Sequence, residues 1–189
     1  MKDIRDIYQY VQRHNVVPKE TCNKIIELSK GYDWTAHQWS NWKGREDPIT
    51  FPDHDKELVV SHPQNYEVED MLKVHVASAL KKYYENFPGA RCAKYSVPRL
   101  NRYDENRIMK QHVDRITSIF DGKEKGVPVL SILGALNDDY EGGEFVFNDT
   151  APVRMKAGDV LIFPSTFIYR HEVKPVTRGT RYSWISWGY

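Results

Sequence analysis

Four residues in the second half of the chain have types and spacing that could do chemistry. His112 and Asp114 form His-Val-Asp, His171 follows far downstream, and Arg181 comes ten positions after it. Two imidazoles and one carboxylate can hold iron(II) on one face and leave the opposite coordination positions open. A guanidinium nearby can grip a carboxylate through two parallel hydrogen bonds. Ser183, two residues beyond Arg181, would share its strand face and add a hydroxyl. The chemistry implied is dioxygen activation at an open iron site, driven by a keto acid. Taken singly, each part has a blander meaning. A lone HxD is more often a pair of hydrogen-bonded strand residues, and a lone arginine a surface ion pair. The combination points to a site.

Such a site needs strands to present it. After residue 90 the sequence reads as short strands separated by turns: 92–103, 110–114, 128–136, 144–147, 160–163, 171–175 and 180–187. Asn137-Asp138-Asp139, Gly142-Gly143, Ala157-Gly158-Asp159 and Arg178-Gly179 supply the turns. Gly142-Gly143 reads as a tight turn needing positive φ. Alternation along 110–114 would turn His112 and Asp114 inward and Val113 away. Many short antiparallel strands in series predict a sandwich or jelly roll. Two helices precede it, at about 18–30 and 63–87. The second carries Leu72, Val76, Ala79, Leu80 and Tyr83 at helical spacing and is stopped by Pro88-Gly89. Both are expected on the outside of one sheet. Between them, 32–55 reads as short strands and a long loop carrying Trp34, Trp39 and Trp42, which could cap the site or simply pack. The fold class is mostly β with flanking helices (α+β), in a single domain over 1–189. His14, His37, His54 and His62 are expected in loops or near proline, and His75 on the second helix. All five read as surface or packing residues.

Bulk composition excludes several classes. Lys+Arg is 27 against Asp+Glu 26, so no global charge draws the chain to nucleic acid or a membrane. Cys22 and Cys92 have no metal-knuckle spacing and suggest no disulfide scaffold. The N-terminus is charged and no stretch approaches the roughly 20 apolar residues of a bilayer span, so a cytoplasmic protein is expected.

The ordered motifs resemble the iron(II)/2-oxoglutarate oxygenases, in particular the prolyl 4-hydroxylase-like branch, over about residues 92–189. They are Leu100-Asn-Arg-Tyr103, His112-Val-Asp114, Leu130-Ser-Ile-Leu, Asn137-Asp-Asp-Tyr-Glu-Gly-Gly-Glu-Phe-Val-Phe147, Ala157-Gly-Asp-Val-Leu-Ile-Phe-Pro-Ser165, His171-Glu-Val and Arg181-Tyr-Ser183. The resemblance implies a double-stranded β-helix (jelly-roll, cupin-like) core. It also implies iron(II) on His112, Asp114 and His171, with 2-oxoglutarate and O2 as cosubstrates and ascorbate as a candidate reductant. Arg181 would pair with the far carboxylate of 2-oxoglutarate, assisted by Tyr103, Ser183 and Asn101. Trp187, Met109 and Trp39 would border the substrate.

The activity implied is hydroxylation of an unactivated C–H bond, with 2-oxoglutarate going to succinate and CO2. The substrate expected first is a prolyl residue in a peptide or protein, with a free amino acid or other small molecule as the alternative. Three departures from the prolyl pattern keep that alternative open. Pro128 stands where many relatives have arginine, Met109 where they tend to have tyrosine, and Gly134-Ala135 near a position where some have tyrosine. The small pair suggests a roomier pocket. Less favoured are a nucleic-acid demethylase, suggested by Asn101-Arg-Tyr103, and a jelly-roll binding module without chemistry. A zinc hydrolase with Glu144 or Glu172 as base comes last.

Overall fold

The computed structural model describes residues 7–41, 44–49, 56–114, 127–150 and 152–189. Strand β1 (Gln12–Asn15) and helix α1 (Lys19–Ser29) come first. Short strands β2 (Thr35–Ala36), β3 (Trp39–Asn41), β4 (Gly44–Ile49) and β5 (Val59–Ser61) lead to helix α2 (Tyr66–Asn86). Strands then follow: β6 (Arg99–Tyr103), β7 (Met109–His112), β8 (Leu130–Ala135), β9 (Glu141–Gly142) and β10 (Phe145–Phe147). The last are β11 (Asp159–Pro164), β12 (His171–Val173), β13 (Val176–Arg178) and β14 (Arg181–Gly188).

Both helices form where the apolar spacing predicts them. Pro18 immediately precedes α1, which buries Cys22 and Ile25 on one face. Asn65 caps α2, its side-chain oxygen accepting from the Val68 amide at 2.9 Å. Val68, Leu72, Val76, Ala79, Leu80 and Tyr83 form the buried stripe of α2.

The main sheet runs β1-β11-β8-β14-β6-β5-β2 and a smaller one runs β10-β12-β7. Strand β8 is buried throughout because its two faces serve different layers. Leu130 and Ile132 meet the helices with Val160, Ile162 and Trp184. Leu133 points the other way, packing between the sheets with Phe145, Phe147, Leu161, Phe163 and Ile185. Two antiparallel sheets face to face, with helices behind the larger, make the expected jelly roll. Among the described residues, no helix is long and apolar enough to cross a membrane.

Three expectations of strand placement change. Residues 12–15 form a strand on the edge of the main sheet, so His14 lies in β1 rather than a loop. Gln-Arg-His-Asn has no apolar alternation, and the backbone ladder to β11 makes the strand instead. The long strand expected from residue 92 begins only at Arg99, just after Pro98, which has no amide to donate to a ladder. Strand β7 stops at His112, so Asp114 sits just beyond its end.

Gly134 does not enlarge the pocket. A Cβ there would fall 2.0 Å from Cε2 of Trp184, whose indole fills that space on the helix side. Ala135, opposite Ser183, is the small residue on the inner face. Gly134→Ala should therefore lose about 3 kcal/mol or more of stability by overpacking. A urea midpoint equal to the parent's would mean that Trp184 is free to move. Trp42 and His54 lie outside the described residues.

Candidate metal centre and cosubstrate pocket

Strands β7 and β12 pair in antiparallel register with His112 directly opposite His171. Their rings stand 4.3 Å apart at 60°. Asp114 turns back toward them, its Oδ1 3.3 Å from His112 Nε2 and 3.8 Å from His171 Nε2. One donor atom from each of the three residues falls within 4.8 Å of the others. Among the described residues, this is the one such cluster of metal-ligating groups.

The groups behind these donors aim them. His112 Nδ1 pairs with the Lys110 carbonyl at 2.7 Å, and His171 Nδ1 with the Tyr169 carbonyl at 2.9 Å. Each carbonyl can take only an N–H, so each Nε2 keeps its lone pair for a cation. Asp114 Oδ2 accepts from Ser131 Oγ at 2.6 Å, and Ser131 in turn pairs with Ser165 Oγ at 2.7 Å. Phe145 stacks on His171 at 5.0 Å, while Trp39 meets His112 edge-on at 5.0 Å. The motifs contain Ser131, Ser165 and Phe145 without marking them as site residues.

Burial, with His112 close by, pushes the His171 imidazole down from 6.5 to about 4. For Asp114, burial pushes the carboxyl up, but His171, His112 and Ser131 outweigh it and hold the group well below the carboxylate range. Between pH 6.5 and 4 the unfolded chain takes up a proton at His171 that the folded chain refuses. Stability from this residue is therefore complete above pH 6.5 and falls as the pH drops toward 4. The loss is on the order of 2 kcal/mol by pH 5. Asp114 adds a loss of the same sign at still lower pH. Urea midpoints of the metal-free protein at pH 7.5 and 5 check this, and equal midpoints would refute a buried neutral His171.

The three donors open into a cavity of about 160 Å³ also bordered by Tyr103, Asn101, Met109, Trp39 and Trp187. The sequence reading expects Asn101 and Tyr103 at the cosubstrate and Met109, Trp39 and Trp187 at the substrate; the structure brings all five to this cavity. Leu133, Phe163 and Ile185 make its apolar wall. Arg181, 2% exposed, does not itself line this cavity; it is the register partner of Tyr103, which does. Its guanidinium is 4.8 Å from the Tyr103 ring centre, and Nη1 donates to Ser183 Oγ at 3.0 Å. It borders a second cleft with Tyr140, Gly143 and Arg154. Gly142 and Gly143 take φ +73° and +63°, and a Cβ at Gly143 would come within 3.1 Å of Arg181 Cδ. The expected turn thus also makes room for the arginine. Two further residues line the cavity against expectation. His37, which reads from sequence as a packing residue, stands edge-on to Trp39 there, and Arg99 opens β6 on the cavity side.

The donor set suits iron(II): two imidazoles with free Nε2 atoms and one ionised carboxylate, all on one side of an open cavity. Arg181 suits a dicarboxylic keto acid. It is a buried cation with no carboxylate partner among the described residues, an arrangement that favours an incoming anion.

The family model described as the 2OG-Fe(II) oxygenase superfamily matches residues 98–189. A PKHD-type hydroxylase of Acinetobacter baylyi is 32% identical over 184 residues, covering 92% of this chain and 76% of the relative. Another, from Stenotrophomonas maltophilia, is 30% identical over 139 residues, covering 71% and 59%. The chain spans about three fifths or less of the length of several such relatives. In three dimensions it is similar to a Trichoplax adhaerens prolyl hydroxylase solved with a hypoxia inducible factor peptide. The TM-score is 0.67 at 14% identity, over 95% of this chain and 83% of that one. A core of paired sheets carrying the His-Asp-His cluster, within a chain so related, belongs to the 2OG-Fe(II) oxygenase superfamily.

Proposed function

We propose that this protein is an iron(II)- and 2-oxoglutarate-dependent hydroxylase of an unactivated C–H bond, with a prolyl residue in a peptide as the leading substrate. The observation that carries this reading is the convergence of His112 Nε2, Asp114 Oδ1 and His171 Nε2 on one side of a cavity. The similarity to PKHD-type hydroxylases and to a peptide-bound prolyl hydroxylase supports the reaction and the substrate class. A free amino acid is the second reading, favoured by the cationic Arg99 on the cavity wall.

Iron(II) held by His112, Asp114 and His171 would let dioxygen act as the four-electron oxidant, taking two electrons from 2-oxoglutarate as it goes to succinate and CO2 and two from the substrate as C–H becomes C–OH. The chain's own residues do the rest. Lys110 and Tyr169 hold the imidazoles in one tautomer, and Ser131 holds Asp114. Arg181 and Ser183 would take the distal carboxylate, with Tyr103 beside the guanidinium on the cavity wall. Leu133, Phe163 and Ile185 keep water from the reacting carbon. Ascorbate would keep the iron divalent. Two free cysteines support a reducing, cytoplasmic setting.

The zinc-hydrolase reading loses ground on geometry. A hydrolase needs a positioned base, yet among the described residues Asp114 is the one carboxylate lining the cavity. Glu172 pairs with Lys174, and Glu144 borders the second cleft.

The test is an anaerobic titration with iron(II) and then 2-oxoglutarate, followed by oxygen and a succinate assay. A saturable visible charge-transfer band and succinate formation are expected. Bound iron with no such band would sink the reading.

A further inference from the structure

The cavity wall carries a second cation that iron and keto-acid binding do not use. Arg99 donates from Nε to Asn101 Oδ1 at 3.1 Å, and its guanidinium lies over the Trp187 ring at 5.4 Å. Neither partner is an anion, and among the described residues no carboxylate pairs with it. Burial lowers its pKa below the ordinary arginine value, opposed by Tyr103 and Asp114. Beside it, the Trp187 Nε1–H is buried with no hydrogen-bond partner. A guanidinium with unspent donors and an unspent indole N–H therefore share one cavity wall.

Strand register separates this pair from Arg181. Along the β6–β14 ladder Tyr103 faces Arg181, Asn101 faces Ser183, and Arg99 faces Ile185. Four residues of strand put the backbones of the two arginine positions about 13 Å apart. Asp114 hangs from Ser131, the register partner of Trp187. The Arg99–Trp187 pair thus stands level with the metal ligands, and Arg181 at the far end. A keto acid reaching from the metal toward Arg181 runs away from Arg99.

We infer that Arg99 and the Trp187 N–H form a receptor for a carboxylate carried by the substrate. The inference rests on the hydroxylase reading and narrows its substrate class. A carboxylate beside the oxidised carbon comes from one of two sources: the main chain of a free amino acid, or an acidic side chain flanking the target residue of a peptide. A neutral peptide lacks both. Charge-assisted bonds from a guanidinium in a desolvated cavity favour a carboxylate over its amide by about tenfold or more.

The experiment uses the full chain loaded with zinc in place of iron and saturated with 2-oxoglutarate, so that binding is read without turnover. Four probes are titrated by tryptophan fluorescence: L-proline, L-prolinamide, and blocked proline peptides flanked by aspartate or by asparagine. Tighter binding of proline than of prolinamide identifies a free amino acid; tighter binding of the aspartate peptide than of the asparagine one identifies an acidic peptide. In either case the preference should vanish in Arg99→Gln and partly return in Arg99→Lys. No carboxylate preference in the parent protein overturns the inference, as does a preference that survives in Arg99→Gln. The parent comparison needs no variant, so it stands even if Arg99→Gln fails to fold. The charge-transfer titration is run alongside. If Arg99→Gln weakens 2-oxoglutarate there as much as it weakens the probe, Arg99 belongs to the cosubstrate and the inference falls. If the parent protein gives no band at all, the hydroxylase reading falls with it.

Discussion

Arg181→Leu should cost 2-oxoglutarate affinity about 30-fold to several thousand-fold, while the ligand-free chain melts close to the parent temperature or above it. The two halves of this expectation come from the same burial. Arg181 is 2% exposed, and its described partners are the Ser183 hydroxyl and the Tyr103 ring. Without an anion, its desolvation is poorly compensated, and an apolar side chain of similar length removes that cost. Leaving the Ser183 hydroxyl without its donor costs about 1 kcal/mol in the other direction. Once a carboxylate is bound, the balance inverts, because truncating one partner of a buried charge pair costs roughly 2–5 kcal/mol. Arg181→Lys should fall between, since an ammonium keeps the charge and loses the planar fork. Thermal melts with and without 2-oxoglutarate read both halves. The parent should gain stability with the ligand and the leucine variant should not. An undiminished ligand-induced shift in Arg181→Leu would remove this residue from the keto-acid site.

Asp114→Ala should abolish iron-dependent turnover, on the order of 10³-fold or more, and leave the domain folded. Losing an outer hydrogen-bond partner of a metal ligand typically costs 10–100-fold, and here a ligand itself goes. The fold tolerates the change because the groups left behind are provided for. Ser131 keeps Ser165 at 2.7 Å, and both imidazoles keep their backbone carbonyls. What disappears is the anion that stands 3.3 and 3.8 Å from the two Nε2 atoms. Iron content, succinate yield and a near-ultraviolet spectrum are the measurements. Full succinate production by a folded Asp114→Ala would remove Asp114 from the metal centre.

How much of this is legible in the residues follows from where the signals lie. The His112/Asp114 spacing and the distant His171 involve types seldom buried without a reason, so they announce themselves. The strands at 130–135 and 159–164 are legible as apolar runs, and α2 by its stripe. Strand β1 is invisible, because an edge strand of Gln-Arg-His-Asn is held by backbone bonds that leave no side-chain pattern. Arg99 does carry a signal, since Arg99, Asn101 and Tyr103 alternate on one face, but the recognisable motif begins at Leu100 and leaves it out. Ser131 and Ser165 carry no such signal. A serine in an apolar strand becomes informative only once its neighbour across the barrel is known. Gly134 misleads for a related reason, since smallness in a sequence does not say which side will fill the gap.

The two walls of the site differ in build. Among the described residues, His112 and His171 sit on a three-stranded sheet, while the wall opposite belongs to a seven-stranded sheet backed by helices and wedged by Trp184 against Gly134. Local opening takes the least supported unit first. The smaller sheet is therefore the one expected to part first, and a bound metal would be expected to leave through that partial opening rather than through global unfolding. A cation held by His112 and His171 would fasten β7 to β12, so metal occupancy and the local rigidity of these two strands should rise and fall together.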